Sequence, residues 1–185
     1  MANETLSLQS GLITQAKQCP SPNCDARPDV GGITLLVIHN ISLPPGDFGN
    51  GHIEAFFCNQ LDHQHHPFFS EIAGVKVSAH LLIDRSGKLI QFVPLHQRAW
   101  HAGVSCFENR GRCNDYSIGI ELEGTDDTPY TSLQYDTLID VTRLIMKRYP
   151  AITQERITGH QTIAPERKTD PGPAFDWQRY RDALA

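Results

Sequence analysis

The chain has 185 residues, 39% of them hydrophobic and 20% charged, with a formal net charge of -5. That length suits one domain able to bury a core without disulfide or metal staples, and the composition excludes a disordered chain. A negative balance gives no electrostatic basis for a nucleic-acid partner, and no apolar stretch is long enough to span a bilayer.

The first residues, Met1-Ala2-Asn3-Glu4-Thr5-Leu6-Ser7, lack the basic start and apolar run of a secretory leader. Five cysteines, an odd number, suit free thiols in a reducing compartment. The expectation is a soluble, cytoplasmic, monomeric protein with no membrane partner. Leu8, Leu12 and Ala16 are spaced as one face of a short helix within residues 5–18, before Pro20, Pro22 and Pro28 break any regular element. Residues 1–30 therefore read as an N-terminal arm.

After Gly31-Gly32, the run Ile33-Thr34-Leu35-Leu36-Val37-Ile38 has the pattern of a strand buried on both faces. It ends on His39-Asn40, and strand ends are rigid places from which α/β sheets project site residues. Residues 42–75 make a long excursion rich in Pro, Gly, His and Phe, with one amphipathic piece at Ile53-Glu54-Ala55-Phe56-Phe57, as in a segment that covers substrate. The histidines of His63-Gln64-His65-His66 have no carboxylate or thiol partner at a helical or strand spacing, so they are not assigned a metal.

Val77–Ile83 and Lys88–Val93 flank the turn Asp84-Arg85-Ser86-Gly87 and predict an antiparallel pair. Trp100-His101-Ala102-Gly103 sets an indole and an imidazole beside small residues that leave room for a ligand, although Trp100 could equally anchor a core. From Tyr116 to Glu123 the pattern alternates. Ile118, Ile120 and Leu122 share a core face, and Ser117, Gly119, Glu121 and Glu123 share a polar one. Periodicity does not say which carboxylate works, or whether both are merely solvated. Gly119 opens space above the sheet beside Glu121.

Thr131 and Gln134 form a capping box ahead of Tyr135, Leu138, Thr142, Ile145 and Tyr149, a helix that Pro150 ends. Ile157-Thr158-Gly159 leads into a stretch where Pro165, Pro171, Gly172 and Pro173 exclude a regular helix or central strand. A constrained loop holding His160, Lys168 and Asp170 is expected there, followed by a short helix docked by Phe175, Trp177 and Tyr180. A catalytic zinc takes three ligands from His, Asp, Glu or Cys and leaves a fourth position open. His39, His160 and Asp170 fit that count if the first strand and the late loop lie side by side.

Val37 to Gly46, Val77-Ser78-Ala79-His80, Arg98 to Gly103, Cys113-Asn114-Asp115, Ser117 to Thr125 and Ala164 to Gly172 together resemble the zinc-dependent N-acetylmuramoyl-L-alanine amidases. That group includes phage lysozyme-like amidases and peptidoglycan recognition proteins, and the likeness, which covers almost the whole chain, is strongest to its cytoplasmic branch. The resemblance implies a single α/β (α+β) domain with a mixed central sheet flanked by helices. It implies one Zn2+ per chain on His39, His160 and Asp170, with Glu121 and Lys168 as the catalytic pair. More distant members carry a cysteine as third ligand and a tyrosine where Ala79 stands, a departure that fits the cytoplasmic branch.

The substrate implied is a muropeptide, cut between the lactyl group of N-acetylmuramic acid and L-alanine, with preference for the anhydro sugar released in cell-wall turnover. Asn40, Trp100, His101 and Arg112 are candidates to hold it. Arg112 suits a peptide carboxylate through bidentate pairing, or is simply a surface charge. Two rivals stand beside this reading: a lytic amidase acting on intact peptidoglycan, and a peptidoglycan-binding module without catalysis.

Overall fold

The computed structural model describes residues 6–185, so the first residues of the expected arm lie outside it. In place of the helix expected over 5–18, Leu8–Gln9 (β1) and Leu12–Ile13 (β2) pair as a small antiparallel hairpin. Ser10 and Gly11 turn it, both at positive φ (50° and 80°), the conformation that two-residue hairpins require. Ile13 and Ala16 are buried, and the Ile13 N–H donates to the buried Gln91 Oε1 at 2.7 Å, so the arm is part of the core.

Lys17–Gln18 (β3) then forms one edge of the main sheet, and Cys24–Asp25 (β4) follows. Leu35–Ile41 (β5) is the expected buried strand, with His39 and Asn40 inside it rather than beyond it. The excursion carries two short helices, His52–Phe57 (α1) and Pro67–Glu71 (α2). It is packed: Leu43, Ile53, Phe56, Phe57, Leu61 and Phe69 form a core with Leu82, Ile90 and Phe92. The histidine-rich stretch is built into this unit, since His66 caps α2 by accepting the Phe68 N–H on Nδ1 and His63 Nδ1 meets the Phe69 carbonyl at 2.9 Å.

Leu81–Ile83 (β6) and Leu89–Gln91 (β7) pair antiparallel around the predicted turn, shorter than the sequence pattern suggests. Arg98–Ala99 (β8) pairs with β4, and Cys106–Phe107 (β9) with Arg110–Gly111 (β10). Ser117–Glu123 (β11) is buried along all seven of its residues, which decides what alternation left open: its polar face is not solvated. Its polar side faces the candidate site, covered by other side chains. Ser132–Arg148 (α3) carries the capping box as read from the sequence. Ile157–Gly159 (β12) runs into a single helical turn, His160–Ile163 (α4), which precedes the prolines of the late loop. Trp177–Leu184 (α5) is the final helix.

The six-stranded sheet has the order β12-β5-β11-β6-β7-β3. β12, β5, β11 and β6 run parallel, β7 is antiparallel to β6, and β3 is parallel to β7. One face packs Leu36, Ile38, Ile118, Ile120 and Leu122 against Tyr135, Leu138, Val141 and Ile145 of α3 and Tyr180 of α5. The opposite face carries His39 and Glu121. Among the described residues no helix is long and apolar enough to cross a membrane.

The Thr131 hydroxyl accepts the Gln134 N–H at 3.1 Å and donates to the Arg85 carbonyl at 2.9 Å, joining α3 to the β6–β7 turn. Thr131→Ala should cost about 1–2 kcal/mol, read as a lower urea midpoint with an unchanged slope.

Candidate active site

Strand register delivers the site. Glu121 of β11 lies directly opposite His39 of β5, and on the other side of β5 Gly159 of β12 lies opposite Ile38. The residue that follows β12 is His160, which therefore emerges beside His39. These are the carboxyl ends of parallel strands, where α/β sheets gather ligands. The late loop returns Asp170 to the same point, held by the Gln161 N–H donating to the Asp170 carbonyl at 3.0 Å.

His39 Nδ1 and His160 Nδ1 are 3.0 Å apart, and each is 3.1 Å from Asp170 Oδ2. Donor atoms of these three residues all lie within 4.8 Å of one another. The other nitrogen of each ring is already occupied: His39 Nε2 meets His101 Nδ1 at 2.9 Å, and His160 Nε2 meets the Ala102 carbonyl at 3.2 Å. Two imidazoles that point the same nitrogen inward, with their outer nitrogens anchored, suit a divalent cation with a further coordination position open.

Charge is distributed unevenly across the site. Burial disfavours the Asp170 carboxylate, but hydrogen bonds from His160 and His39 outweigh it and hold the group far below the usual range. His39 is pushed down to about 4, first by burial, with the Asp170 hydrogen bond opposing. Glu121 moves the other way, well above an ordinary glutamate, through burial first and the Asp170 charge second, with Lys168 opposing. Carboxyls driven apart in this way are a pattern found at acid–base sites and in structural ion-pair networks alike.

The structure also separates the two carboxylates that alternation left equivalent. Glu123 Oε1 accepts the Gly49 N–H at 2.6 Å and Oε2 the Arg85 N–H at 3.1 Å. Glu121 Oε2 is buried and has no hydrogen-bond partner. Glu123 is committed to the fold, whereas this Glu121 oxygen is not.

His39, Asn40, His101, Glu121, His160, Lys168 and Asp170 line one cavity of about 260 Å³ together with Phe56 and Phe57 of α1. It shares Asn40, Phe56, Lys168 and Asp170 with a larger groove of about 610 Å³, whose walls include Leu43, Pro45 and Phe68 of the excursion. Trp100 and Arg112 line neither. Arg112 is largely exposed, and its Nε lies 3.0 Å from Asp115 Oδ2, an arrangement that matches the surface-charge reading. Asn40 borders the groove with its amide tied by Nδ2 to Asp126 Oδ1 at 2.9 Å and to the Pro171 carbonyl at 3.2 Å.

Sequence reasoning passed over Asp126 and Arg167, both in the groove wall. Arg167 Nη2 donates to the carbonyls of Ala102 and Val104 at 2.7 and 2.8 Å, which pins the late loop to the segment holding His101. Its position next to Lys168 was the only local signal. Arg27 was missed too: it is buried, donates to the Asn114, Leu95 and Ser117 carbonyls, and lies in a segment whose prolines suggest only a connection.

A family model for N-acetylmuramoyl-L-alanine amidases matches residues 29–173. Over 177 residues the chain is 57% identical to the 1,6-anhydro-N-acetylmuramyl-L-alanine amidase AmpD of Enterobacter cloacae, spanning 96% of this chain and 94% of that protein. It is similar to the crystal structure of a selenomethionine AmpD derivative with a TM-score of 0.94 at 54% identity, over 97% of this chain and 99% of that one. It is also similar, at a TM-score of 0.61 and 27% identity, to the amidase AmiD of Escherichia coli in complex with anhydro-N-acetylmuramic acid-L-Ala-D-gamma-Glu-L-Lys, over 97% of this chain and 65% of that one. On the breadth of these matches, the chain belongs to the N-acetylmuramoyl-L-alanine amidase family.

Proposed function

We propose that this amidase hydrolyses the amide between the lactyl group of N-acetyl-1,6-anhydromuramic acid and L-alanine in soluble muropeptides, a step of cytoplasmic peptidoglycan recycling, using one zinc ion held by His39, His160 and Asp170. The observation that carries the reading is the convergence of His39 Nδ1, His160 Nδ1 and Asp170 Oδ2 beside a buried, unpartnered Glu121 oxygen. The identity to AmpD proteins supports the anhydro sugar, and the muropeptide in the AmiD complex supports the substrate class. The combined cavity and groove suit a ligand of sugar-plus-peptide size.

Bound to these three residues, zinc supplies an acidified water and a polarised scissile carbonyl. Glu121 takes a proton from the attacking water, and the hydroxyl adds to the lactyl carbonyl carbon. The same carboxyl then returns the proton to the L-alanine nitrogen as the C–N bond breaks, leaving a lactyl carboxylic acid and a free amine, and the acid proton passes to the amine to give carboxylate and ammonium. The elevated proton affinity of Glu121 suits both halves of that cycle. Lys168, in the same cavity, faces the negative charge that develops on the carbonyl oxygen, a contribution typically worth about 3 kcal/mol. Asn40 and the apolar wall of Phe56 and Phe68 hold the muropeptide, and the whole chain acts as one catalytic domain.

Glu121→Gln should retain one zinc per chain by metal analysis while hydrolysis of anhydromuramyl-tripeptide slows by roughly 10²–10⁴. His160→Ala should lose both metal and turnover. Loss of zinc from the Glu121 variant would contradict the division of roles, and equal rates on soluble anhydromuropeptide and on whole sacculi would point to a lytic enzyme instead.

A second expectation concerns pH. Because the folded value of Glu121 lies above that of an unfolded glutamate, the metal-free chain gains stability that is complete below the unfolded carboxyl range and is lost as pH rises through the folded value. Metal-free Glu121→Gln should therefore melt above metal-free wild type near about pH 8, the gap closing toward about pH 4. A chelator-treated thermal melt at several pH values measures this, and a gap independent of pH would show that the carboxyl is not the cause.

A further inference from the structure

We infer that His101 is a positioning residue for His39: its Nδ1 accepts the His39 Nε2–H and so fixes the ring and proton placement that present His39 Nδ1 to Asp170 and His160. The inference rests on the reading of His39, His160 and Asp170 as metal ligands. Three independent features of the fold converge on it.

The first is proton accounting. A ring that offers Nδ1 to a cation must carry its hydrogen on Nε2. The Nε2–H of His39 has one partner at hydrogen-bond distance, His101 Nδ1 at 2.9 Å. His101 must then carry its own hydrogen on Nε2, where it finds the Ser117 hydroxyl at 3.1 Å. With a cation on His39 Nδ1, the donors and acceptors run one way, from His39 through His101 to Ser117.

The second is space. A Cβ at Gly119 would lie 2.5 Å from both Cγ and Nδ1 of His101, so the imidazole occupies volume that exists only because this position of β11 has no side chain. Gly119 sits between Ser117 and Glu121 on the same face of β11, and the ring it admits packs edge-on to His39 with centroids 5.0 Å apart. The third is backbone anchoring. The buried Asn114 Oδ1 accepts the N–H of both His101 and Ala102, at 3.1 and 2.8 Å. Ala102 in turn presents the carbonyl that faces His160 Nε2. One asparagine therefore sets the outer partners of both histidine ligands. A role for His101 in gripping substrate would require none of these arrangements.

The experiment compares wild type with His101→Leu, which cannot accept a hydrogen bond, His101→Asn, whose Oδ1 can stand where Nδ1 stood, and Gly119→Ala, which displaces the ring without altering it. Zinc affinity is measured by competition with a chromophoric chelator. His101→Leu and Gly119→Ala should weaken zinc binding about 10–100-fold, with His101→Asn recovering most of the loss. At saturating zinc, His101→Leu should lower kcat with KM for anhydromuramyl-tripeptide little changed.

Unchanged zinc affinity in His101→Leu, or a raised KM with intact kcat, would overturn the inference and return His101 to the substrate. Should the variants fold poorly, the imidazole nitrogen spectrum of zinc-loaded wild type decides. A hydrogen on His39 Nε2 coupled to His101 Nδ1 supports the assignment, and a metal on His39 Nε2 refutes it. If wild type itself binds no zinc, the metal reading fails first and takes this inference with it, an outcome distinct from a zinc-replete wild type with an indifferent His101.

Discussion

Parallel pairing in one fixed register is the constraint on which the rest of the site depends. Glu121 opposite His39, and Gly159 opposite Ile38, set an acid and two imidazoles in a row across three adjacent strands. Side chains of a strand alternate between faces, so a slip of one residue would turn His39 away from the cleft and toward α3. The register is enforced from behind by Leu36, Ile38, Ile118, Ile120 and Leu122, whose packing on α3 allows one alignment. Apolar burial on one face thereby sets polar geometry on the other.

That geometry places ionisable groups where water solvates them poorly, and the consequences run in opposite directions for the two acids. Asp170 is held as an anion by its hydrogen bonds with two imidazoles, while burial first and the Asp170 charge second raise the proton affinity of Glu121. The same physical environment thus gives two similar side chains opposite proton affinities. The excursion contributes by walling the cleft with Phe56, Phe57 and Phe68, which keep the dielectric low.

Much of this was legible in the chain. Continuous apolar residues marked β5, a capping box marked α3, and the prolines of the late loop marked the segment holding His160, Lys168 and Asp170. Resemblance to a family, not spacing, joined residues more than a hundred positions apart into one ligand set, and coordinates were needed to see them meet. The hairpin near the N-terminus was misread because Leu8, Leu12 and Ala16 are four apart, whereas the deciding feature was Ser10-Gly11 in a left-handed turn. Alternation in β11 was read correctly, but it could not tell whether the polar face is solvated. A polar face can be buried when another element brings its own polar groups to it. The place of His101 could not be read locally at all, since it depends on an absent side chain at Gly119, eighteen positions further along.

Glu123 has a consequence of its own. By gripping the Gly49 and Arg85 amides, the last residue of β11 moors the near end of the excursion to the sheet two positions beyond the reactive acid. Two residues of extended chain measure roughly 6–7 Å, so the strand itself sets the spacing between Glu121 and this mooring. The start of the excursion is thereby tied to the same strand that carries Glu121, so neither shifts along the sheet without the other.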